Sequence, residues 1–402
     1  MHKPSTNVAT KPAPSRRAWA FALAGAVVLA GAAIAANAPL TQPSAPPNAP
    51  FKIEEIADLD QPWAMTFLPG GRMLITEKTG QLLLLSPDGK QRKTVTGTPP
   101  VMSQGQGGLM DVVLHPKFAQ NRLVYFSYAE AAGKDMGVVL ARGVFTDGDA
   151  PSLANVQTLF RAPKYDTTTG HFSGRIAFAR DGKLFLTVGD RQQWDVFQRT
   201  PQQDTKILVG KVLRLNDDGT PAAGNPLVAR GGDPAVWSYG HRNLLGLAFD
   251  ANGNLWQQEM GPMGGDELNL ILPGRNYGWP LASNGDNYQR PPLNGAEIPD
   301  HRPGDGFEAP KVWWNPSISP GGLMVYSGKR WPQWRGDIFI GGLSSQSLLR
   351  IDVNGTNAAK GDQFAMGTRI RELEEAPDGS IYVLTDGQRG ADGKLLKLTP
   401  AR

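Results

Sequence analysis

The chain has 402 residues, 41 of them basic and 37 acidic, with 48 glycines, 33 prolines and no cysteine. The lack of cysteine excludes disulfides, thiolate catalysis, zinc–thiolate sites and lipid attachment at cysteine. Lys3, Lys11, Arg16 and Arg17 carry the whole formal surplus of +4, so the remainder is balanced and offers none of the basic surplus that a nucleic-acid binder concentrates on one face.

The first element in chain order is SRRAWAFALAGAVVLAGAAIAANA, residues 15–38. Two arginines precede an apolar, alanine-rich run that ends in small residues suited to a signal peptidase. Residues 1–38 therefore read as an export signal cleaved near residues 36–39, and the adjacent Arg16 and Arg17 fit the twin-arginine type. The run is also nearly long enough to span a bilayer, so an uncleaved anchor is the alternative. Either outcome puts the working part in the periplasm. Residues 39–50, PLTQPSAPPNAP, read as a proline-rich tether outside the fold.

From residue 51 to the end, a turn of Gly, Asp or Asn followed by an alternating apolar strand and a second turn recurs six times. The copies are 68–90, then 121–130 with 137–145, 179–190 with 211–219, 250–261, 334–343 with 347–355, and 376–386 with 393–400. Strand pairs at this spacing without a convincing helical period predict an all-β, six-bladed β-propeller over residues 51–402. A β-helix has a shorter and stricter period, and a sandwich rarely runs to this length. Uneven spacing predicts long loops at 146–178 and 273–330. A propeller leaves function to the loops at one mouth of its channel. Gln106, His171, Arg242 and Asn243 each stand at the head of an apolar strand, where they would converge on one ring.

Three loop motifs carry candidate chemistry. In HFSGRIAFARDGKLFLTVGD, residues 171–190, His171 opens a hairpin that Asp190 closes; a carboxylate that fixes an imidazole tautomer makes a base suited to neutral pH. A lone histidine is otherwise a packing residue. EMGPMGGDELNLILPGRNYGWP, residues 259–280, places Glu259, Asp266 and Glu267 among glycines that can turn carbonyls inward, an oxygen-rich set of the kind calcium takes. The alternative is an acidic surface loop. In RIRELEEAPDG, residues 369–379, the strand period of two points Arg369 and Arg371 to one side, where they clamp an anion or sit as solvated edge charges.

These motifs, with GQGGLMDVVLHPKF and SYGHRNLLGLAF, follow one order that resembles the soluble quinoprotein sugar dehydrogenases, the aldose sugar dehydrogenase branch in particular. The resemblance implies a six-bladed propeller that uses pyrroloquinoline quinone (PQQ) and calcium to oxidise aldose sugars at C1 to lactones. It makes His171 the general base, oriented by Asp190, and puts Gln106, Arg242 and Asn243 against the quinone, with Arg242 also stabilising developing charge. Gly261 and Pro262 would offer carbonyls to the calcium beside the quinone, and Glu267 and the Tyr277 carbonyl would hold a second, structural calcium. Arg369 and Arg371 would bind cofactor carboxylates, and Tyr288 would flank the cofactor. One departure stands out. Where the family commonly has a cofactor-binding lysine after the strand FIGGL, this chain has Ser344, which leaves the contact missing or transfers it to another cation such as Arg350. A propeller that binds a ligand or partner without redox chemistry, and a lactonase-like hydrolytic propeller, are the competing readings. The sugar and the electron acceptor have no code in the sequence.

Overall fold

The computed structural model describes residues 43–164, 168–193, 200–288, 298–387 and 392–401, so the expected export signal lies outside the described residues. Six four-stranded antiparallel sheets form a ring, the six-bladed β-propeller. Blade one holds β2 (Pro62–Phe67), β3 (Met73–Glu77), β4 (Leu82–Leu85) and β5 (Arg92–Val95); blade two holds β6 (Leu109–Leu114), β7 (Leu123–Ala132), β8 (Asp135–Thr146) and β9 (Ser152–Arg161). Blade three comprises β10 (Ser173–Phe178), β11 (Leu184–Val188), β12 (Lys211–Leu215) and β13 (Val236–Tyr239). Blade four comprises β14 (Asn243–Phe249), β15 (Leu255–Met260), β16 (Asp266–Ile271) and β17 (Val312–Trp314). In blade five are β18 (Pro320–Val325), β19 (Ile338–Gly342), β20 (Ser347–Asn354) and β21 (Asn357–Ala365). Blade six combines β22 (Arg369–Glu375), β23 (Ile381–Asp386) and β24 (Gly393–Pro400) with β1 (Phe51–Leu59), which pairs antiparallel along β24 and closes the ring.

The repeated phrases of the sequence are the second and third strands of the blades. These strands are covered on both faces by neighbouring blades, which is why LLLL in β4 and LFLTV in β11 are buried throughout and lack a polar face. The outer strands meet solvent, and in SLANVQTLFR of β9 only Leu153 is buried. Two of them, β9 and β17, together with the inner strands β10 and β18, lie inside the stretches 146–178 and 273–330 that uneven spacing presented as loops. A short or polar edge strand leaves little apolar signal to read. The described part of the proline-rich segment also differs from a free tether. Ala45 and Ala49 pack against the apolar cluster of blades five and six, and the Trp331 indole donates to the Pro50 carbonyl at 3.2 Å.

The inner strands β2, β6, β10, β14, β18 and β22 contact one another in that order and return to β2. Each loses register with its neighbour close to its first residue, between Pro62 and Ala64, Leu109 and Val112, Ser173 and Ile176, Leu244 and Gly246, Pro320 and Leu323, and Ile370 and Glu372. Such bulges re-aim side chains and bend a strand, so all six strands turn at the same mouth of the channel. Below that mouth the buried Arg175 of β10 crosses the axis. Its Nε donates to the Leu245 carbonyl at 2.7 Å, and its Nη atoms bond Asp111 at 3.3 Å and Glu372. The guanidinium also lies 4.2 Å from the Trp63 ring centre. One side chain thereby touches four other blades.

Removing Arg175 leaves Asp111 and Glu372 buried without their cation, a loss that costs about 3–5 kcal/mol. Arg175→Met is therefore expected to lower the unfolding free energy by that amount in a denaturant titration. An unchanged midpoint would show that the inner strands hold together without it.

Candidate functional site

In an antiparallel blade the start of the inner strand lies beside the end of the second strand, so both open on the same edge of the disc. Arg369 pairs with Asp386, Asn243 with Met260 and Ser173 with Val188, two residues before Asp190. The predicted residues therefore gather at one mouth although they come from different blades. The cavity there has a volume of about 300 Å³. Trp63, Met110, Phe172 and Leu245 form its apolar lining. Its polar lining includes Gln106, Asn243, Arg369 and Arg371, all named from sequence, with Lys78 and Asp386.

His171 and Arg242 stand directly behind this lining, each one residue before a lining residue, Phe172 and Asn243. The His171 N–H donates to Gln106 Oε1 at 2.7 Å, which couples the imidazole's backbone to the cavity wall. His171 Nδ1 lies 2.7 Å from Asp190 Oδ1, and both residues are buried. Asp190 accepts two further bonds, from the Gln192 N–H at 2.8 Å and the Trp279 indole at 2.9 Å. Burial opposes charge on Asp190, but His171 and Arg242 hold its carboxyl below the usual carboxylate range. For His171, burial is the largest influence and pushes the imidazole below its ordinary 6.5; Asp190 opposes that fall and Arg242 adds to it. The neutral ring then donates from Nδ1 to Asp190 and keeps a lone pair on Nε2. The hairpin needs glycine at 189, because a Cβ there would stand 2.1 Å from the His171 carbonyl oxygen.

The Arg242 guanidinium donates to the Met260 and Gly261 carbonyls at 2.9 and 2.6 Å and lies 5.1 Å from the Trp279 ring centre. Its backbone N–H donates to Glu259. Behind it is a dense buried carboxylate network. Glu259 also faces His241 Nδ1 at 2.9 Å, and Asn269 Nδ2 bridges Glu259 and Glu267 at 3.1 and 3.2 Å. Burial, with the like charge of Glu259, holds the Glu267 carboxyl well above the ordinary glutamate value. Tyr277 stacks on His241 with ring centres 4.6 Å apart, and its hydroxyl donates to the Leu270 carbonyl at 2.6 Å. Asp266 accepts the Gly261 N–H at 2.7 Å and the Ile318 and Ser319 N–H groups at 2.7 and 2.9 Å, tying the glycine loop to the start of blade five. Among the described residues no group of three or more His, Cys, Asp or Glu is placed to hold a metal ion.

On the opposite wall, Asp386 Oδ2 lies 3.1 Å from Arg369 Nη2 and 2.7 Å from Arg371 Nη2, so the arginine pair is a cavity element rather than a solvated edge. The other predicted positions lie further out. Pro262 is buried outside the cavity lining, and the half-buried Tyr288, beside the undescribed residues 289–297, does not line it either. Ser344 is exposed, with its Oγ donating to the Ser317 carbonyl at 3.1 Å. Arg350 does not replace a cavity cation: it bonds Asp337 at 2.6 Å, Asp362 at 2.8 Å and Asp352, all in blade five. Sequence reasoning missed Lys78 and Asp386. The signal for Asp386 was available, since LTD closes its hairpin as VGD closes that of His171.

The sequence pattern of the Glucose / Sorbosone dehydrogenase family matches residues 59–397. The aldose sugar dehydrogenase YliI of Escherichia coli K12 is 38% identical over 363 residues, covering 88% of this chain and 94% of that protein. The apo crystal structure of the soluble E. coli aldose sugar dehydrogenase superposes with a TM-score of 0.80 at 38% identity, over 87% of this chain and 100% of that one. A PQQ-bound aldose sugar dehydrogenase from Streptomyces coelicolor superposes at 0.68 with 29% identity, over 89% and 99% of the two chains. A match that spans nearly all the described propeller makes this chain a member of the glucose/sorbosone dehydrogenase family, a family of oxidoreductases.

Proposed function

We propose that the protein oxidises aldose sugars at C1 to lactones in the periplasm, with PQQ as the bound oxidant and calcium as the bound cation. The observation that carries this reading is the buried His171–Asp190 pair, 2.7 Å apart, set behind a cavity whose far wall holds two arginines and a lysine against one carboxylate. A flat aromatic tricarboxylate fits that donor set: apolar walls take the rings, and guanidinium N–H groups beyond those given to Asp386 take carboxylates. Gln106, Asn243, Arg369 and Arg371 would hold it. PQQ supplies, when bound, the two-electron acceptor for the hydride that leaves C1.

The remaining chemistry belongs to the chain. His171 Nε2 accepts the proton of the anomeric hydroxyl, and Asp190 stabilises the resulting imidazolium while keeping Nδ1 as the donor. Arg242 places a cation beside the developing charge. For calcium, the fit is uneven. Among the described residues the buried carboxylates of Glu259 and Glu267 face His241 at 2.9 Å and His301 at 3.8 Å rather than a lysine or arginine, which suits a divalent ion completed by main-chain carbonyls such as that of Tyr277. The Gly261 carbonyl already accepts from Arg242 at 2.6 Å, so an ion held by Gly261 and Pro262 would share that oxygen with the guanidinium through its second lone pair or displace it. Export rests on residues 1–38, and N-terminal sequencing of the periplasmic protein should find a start near residues 36–39. A chain retaining residue 1 in a membrane fraction would replace the exported form with an anchored one.

If His171 is the base, His171→Ala should still bind PQQ but reduce it with an aldose about a hundredfold to ten-thousandfold more slowly in stopped-flow. A wild-type rate in that variant would return His171 to a packing role. Because only neutral His171 accepts a proton, the wild-type rate should fall as pH drops through a midpoint below 6.5. Asp190 raises that midpoint, so Asp190→Asn should move the acid limb to lower pH and lower the plateau. An acid limb unmoved in Asp190→Asn would mean that another group titrates.

Calcium should raise the melting temperature of the wild-type protein in proportion to the logarithm of its concentration above Kd. Glu267→Gln removes one of two facing buried carboxylates, so the variant should melt no lower than wild type in chelator and gain nothing from calcium. A calcium-dependent rise of equal size in both proteins would place the ion elsewhere.

A further inference from the structure

We propose that Lys78 is the third cationic anchor of the cofactor, holding the carboxylate that neither Arg369 nor Arg371 reaches; this rests on the PQQ reading above. Three carboxylates on one ligand call for three cations, and two of those in the cavity already share Asp386. Lys78, one residue beyond β3, lines the same cavity. Its ammonium donates to the Gly105 carbonyl at 2.9 Å, which uses one of three donors and leaves two for a ligand. The charged groups that bear on it are Arg371 and Asp386 from blade six. Burial and Arg371 lower its pKa and Asp386 raises it, so an added anion relieves a repulsion already present.

The backbone of Lys78 is clamped between two blades. Its N–H donates to the Gln61 carbonyl at 3.0 Å, and its carbonyl accepts the Leu109 N–H at 3.2 Å. A Cβ at Gly108 would come within 2.4 Å of that same carbonyl oxygen. Gly105, which takes the ammonium, precedes the Gln106 that bonds the His171 backbone, so the anchor and the base share one loop. A side chain fixed at both ends loses little freedom when a ligand arrives. Two further cations are committed elsewhere: Arg350 bonds three aspartates, and the buried Lys211 gives its ammonium to the Pro201, Gln202 and Val209 carbonyls at 3.2, 2.9 and 2.6 Å. Ser344, exposed on blade five, takes no part.

The test is titration of full-length apoprotein with PQQ, followed by tryptophan quenching, at low and high salt. Lys78→Gln should bind about tenfold to a hundredfold more weakly than wild type, the usual effect of losing one charged donor to a carboxylate. The gap should narrow as salt rises, which a packing defect would not do. Lys78→Arg should recover most of the affinity, and Ser344→Lys alone should change it little. Unchanged binding by Lys78→Gln overturns the assignment while leaving the cofactor reading intact, as does a loss that salt does not alter. A wild-type apoprotein that fails to bind PQQ overturns both.

Discussion

The Arg175 guanidinium holds the centre of the molecule. A ring of sheets has no core at its axis, only six inner strands, three of which open on the polar residues Ser173, Asn243 and Arg369. Arg175 fills that axis from blade three and reaches Asp111 of blade two, Glu372 of blade six, the Leu245 carbonyl of blade four and the Trp63 face of blade one. Burial pushes Glu372 up to about 7 and Glu374 up to about 8, so the floor of the channel is acidic and short of cations. Buried ion pairs of this kind add little net stability but make any rearrangement that separates them costly. The blades are thereby locked at one mutual position, and side chains from different blades can meet with hydrogen-bond precision above them.

The upper cavity has the opposite electrostatic character. Lys78, Arg369 and Arg371 stand against the single carboxylate of Asp386, while Asp111, Glu372 and Glu374 share Arg175 below. The two ends of the channel therefore differ in charge, cationic residues prevailing at the mouth and acidic ones at the floor. It follows from strand direction. Residues that start inner strands and residues that end second strands share an edge, and here they pair donors with acids, the Arg369 guanidinium with Asp386 and the neutral His171 imidazole with Asp190. The same edge supplies Glu77 in blade one, which takes Arg92 at 3.0 Å, and Glu259 in blade four, which takes His241. An acid near the end of the second strand recurs in blades one, three, four and six, as Glu77, Asp190, Glu259 and Asp386, and has a different partner in each; β19 of blade five, IFIGG, has none.

How much of this was legible depended on whether neighbours in space were neighbours in sequence. The His171–Asp190 contact could be read because one hairpin joins the two, and Gly189 between them is the only residue small enough for the approach. Arg369 and Arg371 were legible through the strand period. Lys78 was not, because its turn EKTG looks like any surface turn until Arg371, some three hundred residues later, closes the ring beside it. The Asn269 bridge between Glu259 and Glu267 was hidden for a related reason, since it depends on β15 and β16 pairing in one register.

By itself the sequence determined the all-β architecture and the sixfold repeat. Strands covered on both faces are mostly apolar, as in β4 and β11, and turns of Gly, Asp and Asn separate them, so the pattern follows largely from burial. It also determined the local His171–Asp190 pair and the positions of Asn243 and Arg369 at the heads of inner strands. Only the tertiary structure decided which cations face the cavity, why Arg350 cannot, and that β1 closes blade six. Charge and closure are properties of distance between chain segments. Those distances exist only once the ring has formed and the axis has been filled.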